Sequence, residues 1–337
     1  MRLSLGRAWA FLSQNRVIVA IIAIAWIWTI VSIARSDRQW DFKTYYHASI
    51  AYSAGNSPYQ IENLQSPSIK KIELPFVYPP LTCYFFRPLT LLPYWLAYQF
   101  WFWIKILVCI YLIWLWRRAF CPREPLAFFM LIASLAYISA LYRDLAAGNV
   151  SVIEQAILWT GFYWFLRGNR CRFAVAIAVA SVFKITFAFF LLALLVSNVR
   201  KNIPAFLLGV GLTATYLAAN WIVSPDVFAE FLHTVAGIKE LGKSFNHSTL
   251  ALLGESWQLL SGDNGLENTS GTIIFGIYLI IASAVLFLTI KFLIRVGRDK
   301  SDDLPTLTLY ALSFAYALIM PRMKDYTFLL SSFQACT

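Results

Sequence analysis

The chain has 337 residues, of which 59% are hydrophobic and only 13% carry a charged side chain. Soluble domains carry about a quarter charged residues, so this composition excludes an ordinary soluble protein and predicts an integral membrane protein. The net charge of +11 does not indicate a nucleic-acid partner. Most basic residues stand in short loops between apolar segments, as they do on the cytoplasmic side of membrane proteins.

Seven apolar segments approach the length of about 20 residues that a membrane-spanning helix needs. They cover residues 17–33, 94–116, 126–141, 151–166, 203–223, 272–294 and 304–320. The first segment follows Arg2, Arg7 and Arg16 and lacks a small-residue cleavage site, so we expect a retained anchor helix. The pattern predicts an all-α, multi-span helical bundle that forms a single transmembrane domain over residues 1–337.

Two further apolar segments are interrupted. Residues 79–93 contain four prolines, which forbid one continuous helix and predict a short dip on the outer side. Residues 173–196 begin and end beside inner charges, so they predict a hairpin of two half-helices with Lys184 near its outer tip. Half-helices inside a bundle usually line a cavity.

The charge distribution predicts the orientation. With the N-terminus in the cytoplasm, fifteen of the 28 Lys and Arg residues fall on the inner side. Seven fall in the two long outer loops, about 34–78 and 224–271. This asymmetry follows the positive-inside rule and predicts a protein of the plasma (inner) membrane, with its chemistry on the outer face.

Asp41 stands just beyond the first span, in an aromatic run that also contains Tyr45, Tyr46 and His47. A carboxylate at the mouth of an apolar bundle costs solvation energy unless it has a task. The predicted topology brings further candidates to the same side: Tyr59, Tyr78, Arg143, Asp144, Asn149, Lys184, Asn246, His247, Arg322, Lys324 and Asp325. We expect them at the rim of one membrane cavity.

Each candidate also has a simpler interpretation. Asp41 alone fits a solvated carboxylate beside a helix, and the tyrosines fit an interfacial belt. Lys184 fits a lysine whose long side chain reaches the membrane surface, and Arg143 with Asp144 fits a local ion pair.

Together the side chains suit a lipid-phosphate substrate. Cations hold a phosphate, a carboxylate takes a proton from an acceptor hydroxyl, and aromatic faces stack on sugar rings. The sequence contains no G-x-S-x-G, H-E-x-x-H or Walker motif and no metal-ligand spacing, so we expect neither a metal nor a cofactor.

The chain contains the following motifs, in this order: Asp41-Phe42-x-x-Tyr45-Tyr46, Gly55-Asn56-x-Pro58-Tyr59, Tyr78-Pro79-Pro80-Leu81, Gly148-Asn149, Lys184, Asn246-His247-Ser248 and the turn from Pro321 to Tyr326. This order resembles glycosyltransferase family 87, the polyprenol-phosphate-mannose-dependent α-mannosyltransferases of the GT-C superfamily. Two motifs depart from the family pattern, since Lys184 lacks the later proline and His247 replaces a glutamine. The chain stops at Thr337, before the final helices of the family, so we expect a truncated product.

The resemblance implies a GT-C-like enzyme that moves a hexose, mannose in the family, from a polyprenyl-phosphate donor to a lipid or glycan hydroxyl with inversion. Asp41 would be the general base. The donor phosphate would be bound by Lys184, Arg143, Arg322 and His247. The sugar and acceptor pocket would be formed by Tyr45, Tyr46, His47, Tyr59, Tyr78, Asn149, Asn246, Asp144 and Asp325.

Two other interpretations remain open at this stage. Broken helices and charges within a bundle are also typical of transporters and lipid flippases, although the Asp41 loop has no internal repeat in the second half of the chain. A non-catalytic membrane subunit is the other alternative, which the missing final helices favour.

Overall fold

A computed structural model describes residues 16–35, 38–65, 71–122, 124–196, 199–237, 246–261, 269–298 and 303–321. Within these ranges every regular element is helical. We number the helices of 13 residues or more in chain order: α1 (Arg16–Ala34), α2 (Trp40–Ser53), α3 (Tyr94–Leu115), α4 (Leu126–Ala147), α5 (Ser151–Leu166), α6 (Arg170–Phe183), α7 (Val199–Val223), α8 (Pro225–Gly237), α9 (Thr249–Ser261), α10 (Thr269–Arg298) and α11 (Leu304–Ile319). The all-α architecture predicted from composition is confirmed.

Four described helices are long and apolar enough to cross a membrane: Arg16–Ala34, Tyr94–Phe120, Val199–Val223 and Gly271–Gly297. Each coincides with a predicted span. Large apolar side chains point away from the bundle, and Trp28 of α1 and Ile280 of α10 are 74% and 72% exposed. Such surfaces are stable in lipid but not in water, so the chain is an integral membrane protein.

Helix α5 lies at the centre of the bundle. Its Trp159, Phe162 and Phe165 side chains are buried. The Phe162 and Phe190 ring centroids lie 5.1 Å apart, and those of Phe165 and Phe173 lie 4.9 Å apart. Helix α5 packs on α3, α4, α6 and α11, so its two ends are held in fixed positions.

The broken apolar segment is a hairpin about Lys184, as predicted. Helix α6 ends at Phe183, Lys184 is extended (φ −138°, ψ 95°), and a 3₁₀-helix over Ile185–Leu195 returns. The two arms pack against each other and against α7. A hydrogen bond of 2.8 Å between the hydroxyls of Thr186 and Tyr316 ties the returning arm to α11.

The proline-rich segment, residues 79–93, forms short helical turns and no span, as predicted. The turns are Pro80–Thr82, Cys83–Phe86 and Arg87–Leu91. The Leu81 backbone N–H donates to Oδ1 of Asn220 at 2.8 Å, and the hydroxyls of Thr82 and Tyr216 lie 2.8 Å apart. These bonds dock the dip on the end of α7.

Helix α8 packs against the turn Pro80–Thr82 and against α7. The Ser57 hydroxyl donates to the carboxylate of Glu230 on α8. The hydroxyls of Tyr52 and Ser224 lie 2.7 Å apart. The segment after α2 is therefore fastened to the junction between α7 and α8.

The sequence prediction failed in two places. The two segments predicted as outer loops contain helices, with α2 in the first and α8 and α9 in the second. Helix α2 was missed because nearly all its faces are buried, so its apolar residues follow no single stripe. The predicted turn from Arg143 to Asn149 is also wrong, because α4 continues to Ala147 and includes Arg143 and Asp144.

Candidate active site

Asp41 lies in the first turn of α2, where the helix dipole stabilises a negative charge. Its side chain is half-buried. Nδ2 of Asn149 donates a hydrogen bond of 2.6 Å to Oδ2 of Asp41. Asn149 lies in the turn 148–150 between α4 and α5, so the fold joins two motifs that are 108 positions apart in the chain.

Gly148 allows this close approach. Its φ is 71°, and an added Cβ would lie 2.8 Å from Cβ of Phe42 and 2.9 Å from Cβ of Gln39. A residue with a side chain would therefore be strained and would also push against α2. Nε1 of Trp101 donates to the Gly148 carbonyl at 2.8 Å, which fixes the turn against α3.

The Asn149 amide is itself oriented by Ser151. Oδ1 of Asn149 accepts hydrogen bonds from the Ser151 backbone N–H at 2.9 Å and from its hydroxyl at 2.7 Å. With the oxygen engaged in this way, the amide NH₂ group faces Asp41. The carboxylate therefore lies beside the N-terminal end of the central helix.

A buried ion pair supports the same end of α5. Nζ of Lys105 lies 2.5 Å from Oδ1 of Asp144, and both side chains have 0% exposure. Lys105 also donates to the Asp144 carbonyl, and the Val152 backbone N–H donates to Oδ2 of Asp144 at 3.2 Å. Asp144 is therefore held inside the bundle by Lys105, while Arg143 is exposed.

Lys105 was missed as a candidate, although a lone lysine in a 22-residue apolar helix is a usable signal. Glu154 was missed as well. It is buried in the first turn of α5, and its charge interacts with those of Lys184 and Asp144. An acidic residue at the start of an apolar segment is the signal that predicts it.

Lys184 is half-buried at the tip of the α6 hairpin. Its ammonium lies 5.9 Å from the centroid of the Phe187 ring. Because Lys184 interacts with Glu154 and Asn149 contacts Asp41, both polar groups belong to the same end of α5. Asn149 and Glu154 are five residues apart, which corresponds to about 7.5 Å along a helix.

The four predicted pocket tyrosines are buried, and three of them are hydrogen-bonded to one another. The hydroxyls of Tyr45 and Tyr78 lie 3.2 Å apart, and the Tyr59 hydroxyl donates to the Tyr78 carbonyl at 2.6 Å. The Tyr46 hydroxyl donates to the Leu92 carbonyl at 2.8 Å. Burial raises the pKa of Tyr46 and Tyr59, so both remain protonated donors. These rings support α2, and their contact with a sugar stays a prediction.

His47 is buried on α2. Its Nε2 atom has no hydrogen-bond partner within the described ranges. Burial lowers the pKa of His47, and the nearby positive charge of Lys43 lowers it further. The imidazole is therefore neutral at pH 7.

The late motifs meet at the end of α11. Nδ2 of Asn246 donates to the Pro321 carbonyl at 3.3 Å, and the Thr249 hydroxyl donates to the Leu318 carbonyl at 2.9 Å. His247 is exposed in this turn. Tyr316 of α11 contacts the Lys184 hairpin through Thr186, so a series of contacts links these motifs. The candidates Arg322, Lys324 and Asp325 lie outside the described residues.

The described part of the chain contains no group of three or more His, Cys, Asp or Glu residues that could hold a metal ion. The binding of a donor phosphate by Lys184 stays a prediction. The N-terminal end of α5 thus brings together the half-buried Asp41 carboxylate and the fixed donor Asn149, and Glu154 in its first turn interacts with the Lys184 ammonium.

The chain is a membrane glycosyltransferase. It belongs to glycosyltransferase family 87, whose family model matches residues 76–321, well over half of the chain. The matched range contains Asn149, Lys184 and Asn246, whereas Asp41 and α2 precede it. No curated protein and no solved structure matched in the corresponding comparisons.

Proposed function

We propose that this glycosyltransferase moves a hexose, mannose in the first instance, from a polyprenyl-phosphate donor to a hydroxyl of a lipid or glycan acceptor. The reaction takes place on the non-cytoplasmic face and inverts the anomeric carbon. Asp41 is the general base. Membership of the family supports a sugar donor and an acceptor, and the Asp41 site supports the finer assignment.

In the proposed step, Asp41 takes the proton of the acceptor hydroxyl while the acceptor oxygen bonds to the anomeric carbon. The bond from that carbon to the phosphate oxygen breaks, and the polyprenyl phosphate leaves with the electron pair. The leaving group is a stable anion, so no strong general acid is required. Cations that neutralise its charge in a dry site lower the barrier.

One observation carries the assignment of Asp41. Its carboxylate is half-buried, and Asn149 holds it beside the end of α5 that also receives Lys184. Asp144 and Glu154, the other carboxylates near this end, are buried. Asp41 is therefore the acidic group of this cluster that a substrate hydroxyl reaches.

Lys184 is the first candidate for the donor phosphate, because its ammonium lies at a helix break next to the α5 end. Arg143 and His247 are exposed candidates. Arg322 follows Pro321, whose carbonyl accepts from Asn246. The buried tyrosines form the aromatic support of the Asp41 helix.

The proposed orientation is supported by the opposite end of α5. There the Arg170 guanidinium lies 4.1 Å from the Phe165 ring centroid, and that of Arg167 lies 5.5 Å from the Tyr163 ring centroid. An excess of arginines at one end of an apolar segment is typical of the cytoplasmic side. The Asp41 end of α5 then faces the outer side.

The test uses the full chain in proteoliposomes with labelled polyprenyl-phosphate mannose and a membrane lipid extract as acceptor. We expect the wild type to transfer label and Asp41→Asn to lower the rate about 100- to 10,000-fold. Asp226→Asn is the matched control, because Asp226 is an exposed residue in the first turn of α8. We expect it to transfer normally.

The outcomes separate the alternatives. A fully active Asp41→Asn protein would remove Asp41 from the mechanism. Absence of transfer by the wild type would favour a non-catalytic subunit. Movement of a solute across the bilayer without sugar transfer would favour a transporter.

A further inference from the structure

Asn149 occupies an unusual position between two helices. Its side-chain oxygen accepts from the backbone N–H and the hydroxyl of Ser151, and its side-chain nitrogen donates to Asp41. The oxygen contacts satisfy the start of α5, as a capping residue does. The nitrogen contact has no role in capping α5, so it needs a separate explanation.

We propose that Asn149 is a positioning residue that holds the Asp41 carboxylate for proton transfer, and that Ser151 sets the orientation of the Asn149 amide. The proposal rests on the proposed function, since it assigns a partner to the general base. It also gives a role to a residue that the sequence placed only in the substrate pocket.

The contact affects Asp41 in two ways. A donated hydrogen bond favours the ionised carboxylate, which is the form that accepts a proton. It also restricts rotation of the side chain, and a general base must lie within hydrogen-bond reach of the hydroxyl. The 2.6 Å separation between Nδ2 and Oδ2 is short for an N–H···O hydrogen bond, and bonds to a charged acceptor are shorter than neutral ones.

The neighbouring structure makes the arrangement rigid. Gly148 lets α2 approach the turn, and Trp101 fixes the Gly148 carbonyl. Asn149 and Ser151 are both buried, at 4% exposure each. The donor therefore has little freedom to turn away from Asp41.

The chain supplies a matched control at the other end of α5. Asn169 precedes α6, and its side-chain oxygen accepts from the Arg172 backbone N–H at 3.3 Å. Asn149→Ala and Asn169→Ala each remove a side-chain oxygen that accepts a hydrogen bond from a backbone N–H in the first turn of a helix. Only Asn149→Ala also removes a donor to Asp41.

The kinetic test measures kcat/KM against pH for sugar transfer. We expect Asn149→Ala to lower kcat/KM about 100-fold, as small misplacements of a reacting group do. We also expect the acid limb of the pH profile of this variant to move to higher pH by about one unit, because the ionised Asp41 carboxylate has lost a hydrogen bond that stabilises it. Asn169→Ala should change neither, and Ser151→Thr should retain more activity than Ser151→Ala.

A second readout is independent of transfer. Infrared titration reports the ionisation of the Asp41 carboxylate directly. The Asp41 band is identified because it is absent from Asp41→Asn and from the double variant Asn149→Ala/Asp41→Asn. We expect a higher midpoint in Asn149→Ala. The other ionisable groups on the surrounding helices stay in place in this comparison: Lys43, His47, Lys105, Arg143, Asp144 and Glu154.

The two readouts separate failure of this inference from failure of the proposed function. Unchanged infrared midpoints and an unchanged acid limb in Asn149→Ala would overturn the positioning role, even with lower activity. A shifted midpoint in a protein that transfers no sugar would overturn the proposed function and keep Asn149 as the group that holds Asp41 ionised. Full activity of Asp41→Asn would overturn both.

Discussion

Lys105 and Asp144 form an ion pair in which both side chains are fully buried and Nζ lies 2.5 Å from Oδ1. The pair joins α3 to the last turn of α4, and the Val152 N–H extends the contact to α5. Helices α3, α4 and α5 thus meet next to the turn that carries Asn149. The pair keeps this turn in place, because a charge left without its partner would be costly.

Removing one partner of this pair should destabilise the protein strongly. We expect Lys105→Met or Asp144→Asn alone to cost about 3 kcal/mol, because each leaves the other group without its partner. The double variant should be more stable than either single variant, since neither charge remains. Thermal unfolding in detergent measures the three values. A double variant whose loss equals the sum of both single losses would contradict the coupling.

Gly148→Ala and Gly168→Ala form a matched pair. Both glycines have positive φ, 71° and 75°, so both substitutions cost about 1 kcal/mol in backbone strain. Only at Gly148 would the new Cβ clash with Phe42 and Gln39, while nothing lies within 4 Å at Gly168. We expect Gly148→Ala to lose sugar transfer and Gly168→Ala to retain it. Equal activities of the two purified variants would show that the approach of α2 is unimportant.

Lys184→Ala should weaken donor binding. A hydrogen bond to a charged group contributes about 1.5–3 kcal/mol, so the KM for the polyprenyl-phosphate sugar should rise about 10- to 100-fold. Lys184→Arg should lose less, because it keeps the positive charge. Lys201→Ala, an exposed lysine in the first turns of α7, is the control. An unchanged dependence on donor concentration in Lys184→Ala would exclude Lys184 from the phosphate site.

His47 should make stability depend on pH. Its pKa is lower in the folded protein than the ordinary 6.5, so the unfolded chain binds the proton more readily. Stability is therefore greatest above about pH 6.5 and falls as the pH drops from there toward the folded pKa.

We expect His47→Phe to lose less thermal stability than the wild type between pH 7.5 and pH 5.5. His233→Gln, at an exposed position on α8, should behave like the wild type. If the thermal stabilities of His47→Phe and the wild type fell equally with pH, protonation of His47 would not be coupled to unfolding.

Local patterns were sufficient to predict the positions of the four helices that are long and apolar enough to cross a membrane. The predicted segment 151–166 begins and ends at the same residues as α5. The extended backbone of Lys184 lies within the segment whose flanking charges predicted a hairpin. Hydropathy and charge act through the immediate surroundings of each residue, so a single sequence carries this information.

Contacts between distant residues could not be predicted. The sequence indicated Arg143 as the partner of Asp144, but helix packing selected Lys105, 39 positions away. It placed Asn149 in the pocket, whereas the fold directs its amide to Asp41. Such pairings depend on how α2, α3 and α4 pack, and no periodicity in one segment records that packing.

The distance between the arginines that follow α5 and the Asn149 turn has a consequence for where in the bilayer a substrate is reached. Helix α5 has 16 residues, so it separates them from the Asn149 turn by about 24 Å. In the proposed orientation these arginines lie at the cytoplasmic membrane surface, so the length of α5 sets the depth of the Asp41 carboxylate in the bilayer. Bilayers of different thickness should therefore alter how readily a lipid-borne headgroup reaches that depth, without any change in the protein itself.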